Sequence, residues 1–282
     1  MYSLKIENTA GQILNLSSAR NIAIIGIDGL IPPPATIVTN NIVMYDGSRF
    51  NSARVNQRNI VLHMKLIGDV AATRILLYKY FRIKQWCKIY FNNGLRDVYC
   101  EGYVETFEDD RFKFSSEVQI SIICPSPWFK ELNEVVFNMG FVINMFEFPF
   151  AIEKEGIEFS LLQEDILTTV VNSGDVEMGV ILELYATSEV INPRIFNADT
   201  REMMGLNFTM VNGDLIRIST YKGNKYVKLF RNGIESNIIN HIMDSPDWFQ
   251  IPVGETNFTY DCVDGAEFFS VKFIGQNLYE GV

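Results

Sequence analysis

Basic clusters are absent from this chain. Its 24 Lys and Arg residues stand against 34 Asp and Glu, a net charge of −10, and no Lys/Arg run is interleaved with aromatics. Long-range repulsion would oppose binding to a phosphate backbone, which argues against a nucleic-acid-binding role. Histidine is nearly missing: His63 and His241 belong to no HxxxH or other ligand spacing, so neither a metal centre nor a histidine relay is expected. The four cysteines, Cys87, Cys100, Cys124 and Cys262, show no CxxC pattern. The first three fall in alternating apolar runs, and all four are expected as reduced core residues. The longest apolar run, over 135–150, is interrupted by Asn138, Asn144, Glu147 and Pro149, short of the ~20 clean residues a membrane helix requires. No basic stretch precedes an apolar one at Met1-Tyr2-Ser3-Leu4-Lys5-Ile6-Glu7, so no secretory leader is expected and the chain is expected to fold in a cytoplasm.

What is present is a composition for packed β-structure. The 282 residues allow two domains of ordinary size; 48% are hydrophobic, and 21 Phe and 12 Tyr outnumber 3 Trp. Residues 59–67 alternate, with Ile60, Leu62, Met64 and Leu66 on one face and Val61, His63, Lys65 and Ile67 on the other, which predicts a half-buried strand. Asp69 then caps a helix whose apolar stripe is Ala72, Leu76, Leu77, Tyr80 and Phe81, running to about Lys84. Cys87, Ile89 and Phe91 lead into Asn92-Asn93-Gly94 and a returning strand through Val98 and Cys100, a hairpin pattern. A polar turn at Glu108-Asp109-Asp110-Arg111 precedes another alternating run, Phe112, Phe114, Val118, Ile120, Ile122 and Cys124, stopped by Pro125 and Pro127. Upstream, Ile22 to Ile27 reads as a strand ending at Asp28-Gly29, and Pro32-Pro33-Pro34 forces an extended arm or loop. Arg49, Arg54 and Arg58 are expected to pair with surface carboxylates.

From about Val170, turns recur at Asn172-Ser173-Gly174-Asp175, Asn192-Pro193, Asn212-Gly213-Asp214, Lys222-Gly223-Asn224, Asn232-Gly233 and Val253-Gly254-Glu255. Short strands between evenly spaced turns predict a jelly-roll type β-sandwich. The division expected is 1–133 as a first β domain with one helix, 134–169 as a connecting arm or edge segment, and 170–282 as the sandwich.

Catalytic and binding constellations are sparse. Glu105, Glu108, Asp109 and Asp110 supply the paired acids a glycosidase uses, but adjacent acids at a hairpin tip are more often a solvated turn. Gly26-Ile27-Asp28-Gly29 misses GxGxxG and leads into prolines instead of a phosphate-holding helix. Trp248-Phe249 and the tyrosines of the second half have the ring faces that stack on sugar, yet a sandwich fills its interior first, and core packing or protein contact is the plainer role. No catalytic, cofactor-binding or metal residue is assigned, and no enzyme activity is expected.

Several segments in order, Gly26-Ile27-Asp28-Gly29-Leu30, the proline loop, Asp46-Gly47-Ser48-Arg49-Phe50, the strand from Arg58 to Ile67, and Cys124-Pro125-Ser126-Pro127-Trp128-Phe129, resemble the distal tail proteins of long-tailed phages. The second half, with Ser245-Pro246-Asp247-Trp248, Pro252-Val253-Gly254-Glu255-Thr256-Asn257 and Tyr279-Glu280-Gly281-Val282, is similar to the galectin-like or carbohydrate-module-like sandwich that follows the ring domain in that family. The resemblance implies a mainly β virion protein with a protruding hairpin, made in the host cytoplasm and placed at the distal end of the tail. It implies a ring, usually hexameric, that joins the tail tube to tail-tip and receptor-binding proteins while DNA passes through the lumen. A carbohydrate-binding module for host-surface sugar is the alternative, and a β-rich glycosidase subunit using Glu105, Asp109 or Asp110 a more distant third.

Overall fold

The computed structural model describes residues 2–41, 44, 46–109, 116–140, 142–144, 160–162 and 167–282. Asp110, Arg111, Phe112 and Phe114 of the expected turn and strand, and most of the expected 134–169 arm, lie outside these residues. The chain divides into two compact units, 1–132 with 278–282, and 133–277.

The first unit contains β1 (Ser3–Asn8), β2 (Ile13–Asn15), β3 (Ile22–Asp28), β4 (Ala35–Asn41), β5 (Ser48–Val55), β6 (Arg58–Leu66), α1 (Val70–Tyr80), β7 (Trp86–Asn92), β8 (Asp97–Asp109), β9 (Glu117–Cys124) and β10 (Phe129–Glu131). Its main sheet runs β2-β1-β7-β8-β9-β6-β3, all antiparallel, and β10 adds to β8. The predicted alternation is realised in β6, where Ile60, Leu62 and Met64 are fully buried. They pack with Leu4, Ile6, Cys87, Ile89, Cys100, Ile120 and Ile122 into one core. Strand β8 crosses β9 so closely at Gly102 that an added Cβ would stand 2.8 Å from Cys124 Sγ and from Ile122 Cγ2.

Helix α1 starts where the sequence places it, with Asp69 Oδ1 accepting the Ala72 N–H at 3.0 Å. It is shorter than the expected span to Lys84. Phe81 closes it, and Lys84 takes φ 65°, which a helix does not tolerate. The stripe also shifts: Ala72 is exposed, while Thr73, Leu77 and Phe81 form the buried i, i+4, i+8 line. Thr73 is buried because its hydroxyl is satisfied locally, donating to Asp69 O and accepting from Asn21.

The second unit holds β11 (Val135–Met139), β12 (Val142–Asn144), β13 (Ser160–Leu162), β14 (Leu167–Asn172), β15 (Val180–Ala186), β16 (Val190–Ile191), β17 (Arg194–Asn197), β18 (Met203–Gly205), β19 (Thr209–Met210), β20 (Leu215–Ser219), β21 (Tyr226–Arg231), β22 (Ile234–Asn237), β23 (Gly254–Asp261) and β24 (Phe269–Gly275). Among the described residues its two principal sheets are β11-β24-β15-β20-β21-β22 and β14-β23-β17-β18. A ladder of rings joins them: Phe258 of β23 lies 4.9 Å from Phe273 of β24 and 5.3 Å from Phe249. Phe249 is therefore core, and Trp248 is half-buried under Lys225, whose Nζ sits 4.9 Å from the indole. The sheet content is that of a mainly β fold.

Residues 135–139, in the segment expected as a connecting arm or edge strand, pair along β24 as a sheet edge of the second unit. The chain end falls differently from the expected division: it returns to the first unit, where β25 (Leu278–Tyr279) pairs with β10. Sequence periodicity could not place it, because it is a short piece whose partner is remote in the chain.

Within the second unit Asp214 is 1% exposed and receives a two-pronged bond from Arg231, Nε to Oδ1 at 2.7 Å and Nη2 to Oδ2 at 2.5 Å, plus the Val211 N–H. Burial by itself would raise this carboxyl, but those bonds and the guanidinium charge hold it below the ordinary range. The stabilisation is thus complete above the unfolded-state pKa and disappears as pH falls through the lower folded-state value. Asp214→Asn should cost about 2 kcal/mol at pH 7, reduced by the partial exposure of Arg231. Thermal melts should show the gap to the native chain closing as the medium is acidified below the carboxylate range; a constant gap would refute the assignment.

Candidate functional site

Of the residues weighed for catalysis, His63, Glu108 and Asp109 line one polar cleft. His63 Nε2 lies 3.0 Å from Asp28 Oδ2, and His241 is exposed with Nδ1 3.2 Å from Asn207 O. Asp109, a candidate acid, is taken by Arg74, Nε to Oδ2 at 2.5 Å and Nη2 to Oδ1 at 3.2 Å. Glu105 accepts the Ser121 hydroxyl at 3.0 Å, and Glu108 lines that polar cleft together with Asp109, Glu117, His63 and Gln119. Asp110 lies outside the described residues. No group of three or more His, Cys, Asp or Glu among the described residues is placed to hold a metal.

Three of the four thiols are raised, while Cys124, fully buried, is held below its ordinary value by its sulfur hydrogen bond with Cys100, against burial and with help from Arg58. Cys87 is fully buried and its thiol is pushed up to about 12, by burial first and then by Cys124. The sulfur hydrogen bond from Cys124, 3.8 Å long, and then burial hold Cys100 well above its ordinary value. Cys262 departs from the core expectation: it is half-buried, its thiol raised by burial and by Asp261, Asp264 and Glu267. A thiolate-specific reagent at pH 8 should therefore label Cys262 alone, slowly, in the folded chain and all four cysteines in denaturant. Rapid labelling of several cysteines in the folded chain would contradict this packing.

Arg58 is the strongest departure from expectation. Instead of meeting a surface carboxylate, it is 2% exposed and donates to four main-chain carbonyls: Nε to Pro127 at 2.7 Å, Nη1 to Gly29 and to Ile31 at 2.9 Å, and Nη2 to Glu280 at 2.5 Å. Its Cζ stands 4.2 Å from the Phe129 ring centre. Burial lowers its pKa, with Cys100 and Cys124 opposing. The side chain thus ties four segments into one knot, the Asp28-Gly29 turn, the proline loop, the β9–β10 connection and the returning chain end. Gly29 completes it: its φ is +87°, and a Cβ there would fall 2.0 Å from Asn59 O.

From that knot springs a hairpin that, among the described residues, joins no other sheet of its unit. Strands β4 and β5 form a two-stranded sheet of their own, and every residue of both except Val55 is exposed. Its base is closed by the Asn56 N–H to Pro34 O at 3.1 Å and by Thr36 to Asn56. Register places Ile37 opposite Ala53 and Thr39 opposite Phe50, so Ile37 and Phe50 share a face, 64% and 62% exposed. A solitary hairpin is at best marginal in water, and apolar groups held in the open mark an interaction site.

Among the described residues the same unit also offers unpaired edges. The main sheet ends at β2 and β3. Beside β3 lies an apolar groove of about 600 Å³ lined by Leu4, Leu16, Ile22, Ile27, Phe91 and Val282. β3 carries a bulge between Ile24 and Gly26, beside the 57%-exposed Ile25. Edge strand, groove and hairpin together have the chemistry of an assembly surface. Sequence patterning missed β4 and β5 because Ala-Thr-Ile-Val-Thr-Asn-Asn does not alternate; a strand buried on neither face has no periodicity to impose.

No protein-family model matches the sequence, and no curated protein matches it. Solved structures do. The chain is similar to the Dit protein of phage SPP1, described as a paradigm of the hub adsorption apparatus in phages infecting Gram-positive bacteria, with a TM-score of 0.70 and 11% identity over 99% of both chains. It is also similar to a chain of the phage P2 baseplate in its activated conformation, with calcium at TM-score 0.56 and 10% identity and with strontium at 0.55 and 11%, each over 100% of both chains. The fold, end to end, is that of these phage hub and baseplate proteins.

Proposed function

We propose that the chain is a structural virion protein, the repeating subunit of a ring, with six copies the expected number, that forms the hub at the distal end of a phage or phage-like tail. The observation that carries the reading is the free-standing hairpin β4–β5, whose apolar face has no partner within its own sheet, on a unit that also leaves two sheet ends open. A head-to-tail contact of this type, repeated by rotation, closes into a ring. The likeness of fold to hub and baseplate chains supports the same reading. In it the first unit builds the ring and meets the tail tube, the second unit faces the tail-tip and receptor-binding proteins, and the protein works through interfaces without turnover or cofactor. The net charge of −10 acquires a use, since carboxylates lining the lumen keep passing DNA from adhering; a lumen lined with basic side chains would remove that part of the reading.

The test is the solution mass of the full chain by light scattering across protein and salt concentration, followed by imaging. The expected result is a fixed multiple of 32.3 kDa with a central hole. A chain that stays monomeric at every concentration and also fails to cap purified tail tubes would overturn the proposal.

A further inference from the structure

Asn-Gly occurs three times in the sequence, at 93–94, 212–213 and 232–233. The pair has a chemistry of its own. When the glycine nitrogen attacks the side-chain carbonyl carbon of the asparagine, a new C–N bond closes a succinimide ring, the bond to the side-chain nitrogen breaks, and ammonia leaves with the proton that the glycine amide gives up. Water then adds to either ring carbonyl and opens it, to aspartate or to isoaspartate. Glycine has no Cβ to obstruct the attack, and by sequence alone the three pairs are equally reactive.

The structure separates them. At 93–94 both reacting groups are occupied: the Gly94 N–H donates to Asn92 Oδ1 at 2.7 Å, and Asn93 Oδ1 accepts the Leu95 N–H at 2.8 Å and the Arg96 N–H at 2.7 Å. At 212–213 the nitrogen is occupied, since the Gly213 N–H donates to Ala186 O at 2.9 Å, and the buried Asp214 anchors the turn from its next position. At 232–233 neither group is held. Arg231 pairs with Ile234, so Asn232 and Gly233 are the whole loop between β21 and β22, with φ of 51° and 76°, the left-handed pair of a type I′ turn. Among the described residues no hydrogen bond engages the Gly233 N–H or the Asn232 side chain. Asn212 and Asn232 are both exposed, so the bonded nitrogen is what distinguishes them. The loop also opens readily, because β22 ends its sheet among the described residues and is exposed along its length.

We propose that Asn232 is the site at which this protein deamidates, through the succinimide and with water as the only co-reactant, while the fold protects Asn93 and Asn212. The isoaspartate product adds one carbon to the backbone of a two-residue loop, which a type I′ turn does not accommodate, so β22 loses register and Lys228 loses its 2.6 Å contact with Glu235. The same product presents a free α-carboxylate, the group that an isoaspartate-specific methyltransferase esterifies with S-adenosylmethionine as methyl donor. The reaction needs the second unit alone and no ring.

Peptide mapping by mass spectrometry of the full chain, aged at pH 8 with and without urea, tests this. In the folded chain Asn232 should convert about tenfold faster than Asn93 or Asn212, and unfolding should bring the three rates together to within about threefold. Methyl transfer from S-adenosylmethionine should rise in step with conversion and map to the peptide holding residue 232. Asn92→Ala, which releases the Gly94 N–H, should raise conversion at Asn93 several-fold. Asn232→Gly, which keeps a loop tolerant of positive φ, should abolish most methyl acceptance with the melting profile unchanged. Conversion of Asn93 or Asn212 as fast as that of Asn232 in the folded chain would overturn the proposal. So would an Asn232 still intact when the denatured chain is half converted, or a preference for Asn232 that persists undiminished in urea.

Discussion

Replacing Arg58 by methionine should destabilise the first unit by about 3–5 kcal/mol, one of the largest losses available to a single side chain in this fold. Methionine fills much of the volume and keeps contact with Phe129, so the loss isolates the hydrogen bonds. Four carbonyls, of Pro127, Gly29, Ile31 and Glu280, lose a charged donor together, and the side chain that held them is 2% exposed, so water cannot simply replace it. A domain of this size is stable by about 5–15 kcal/mol in total, and a loss of this order should lower its melting temperature by roughly 10–20 °C. Lysine at 58 should recover little, because a point charge cannot serve four acceptors spread around a planar fork. The measurement is clean in a Trp248→Phe background, where Trp86 and Trp128 report the first unit alone. A shift of only a degree or two would mean that the knot closes without its guanidinium.

Much of this fold was legible because burial writes a period into the chain. The alternation at Ile60, Leu62 and Met64, the cap at Asp69 and the Asn-Asn-Gly turn each carry their local cause, and each element lies where that cause puts it. What escaped was what has no local cause. Arg58 reads as one more surface arginine, since nothing nearby in sequence announces that Glu280, 222 residues on, will supply an acceptor. The return of β25 to β10 is hidden for the same reason. The hairpin was half legible: three prolines forbid ordinary packing at its base and imply an arm, but strands exposed on both faces leave no hydrophobic period from which to read them.

Those same exposed strands make the second large prediction unusually sharp. Ile37→Asp combined with Phe50→Asp should abolish ring formation while leaving the melting temperature of the monomer within about 2 °C of the native chain. In a buried strand two such substitutions would unfold a domain, since each would place an unpaired charge in an apolar core. Here both side chains stand in solvent, 64% and 62% exposed on one face of a sheet that has only two strands, so the isolated subunit has no core contact to lose. If that face is buried against a neighbouring copy, each contact instead acquires two desolvated carboxylates, and a ring repeats the penalty at every interface, so the assembled species should vanish from the light-scattering profile. Substituting Asn40 and Ser52, which project from the opposite face, gives the matching control and should leave the assembly in place. An assembly that survives both aspartates would show that the hairpin is not its seam, and a monomer that melts early would show that the hairpin packs on its own unit after all.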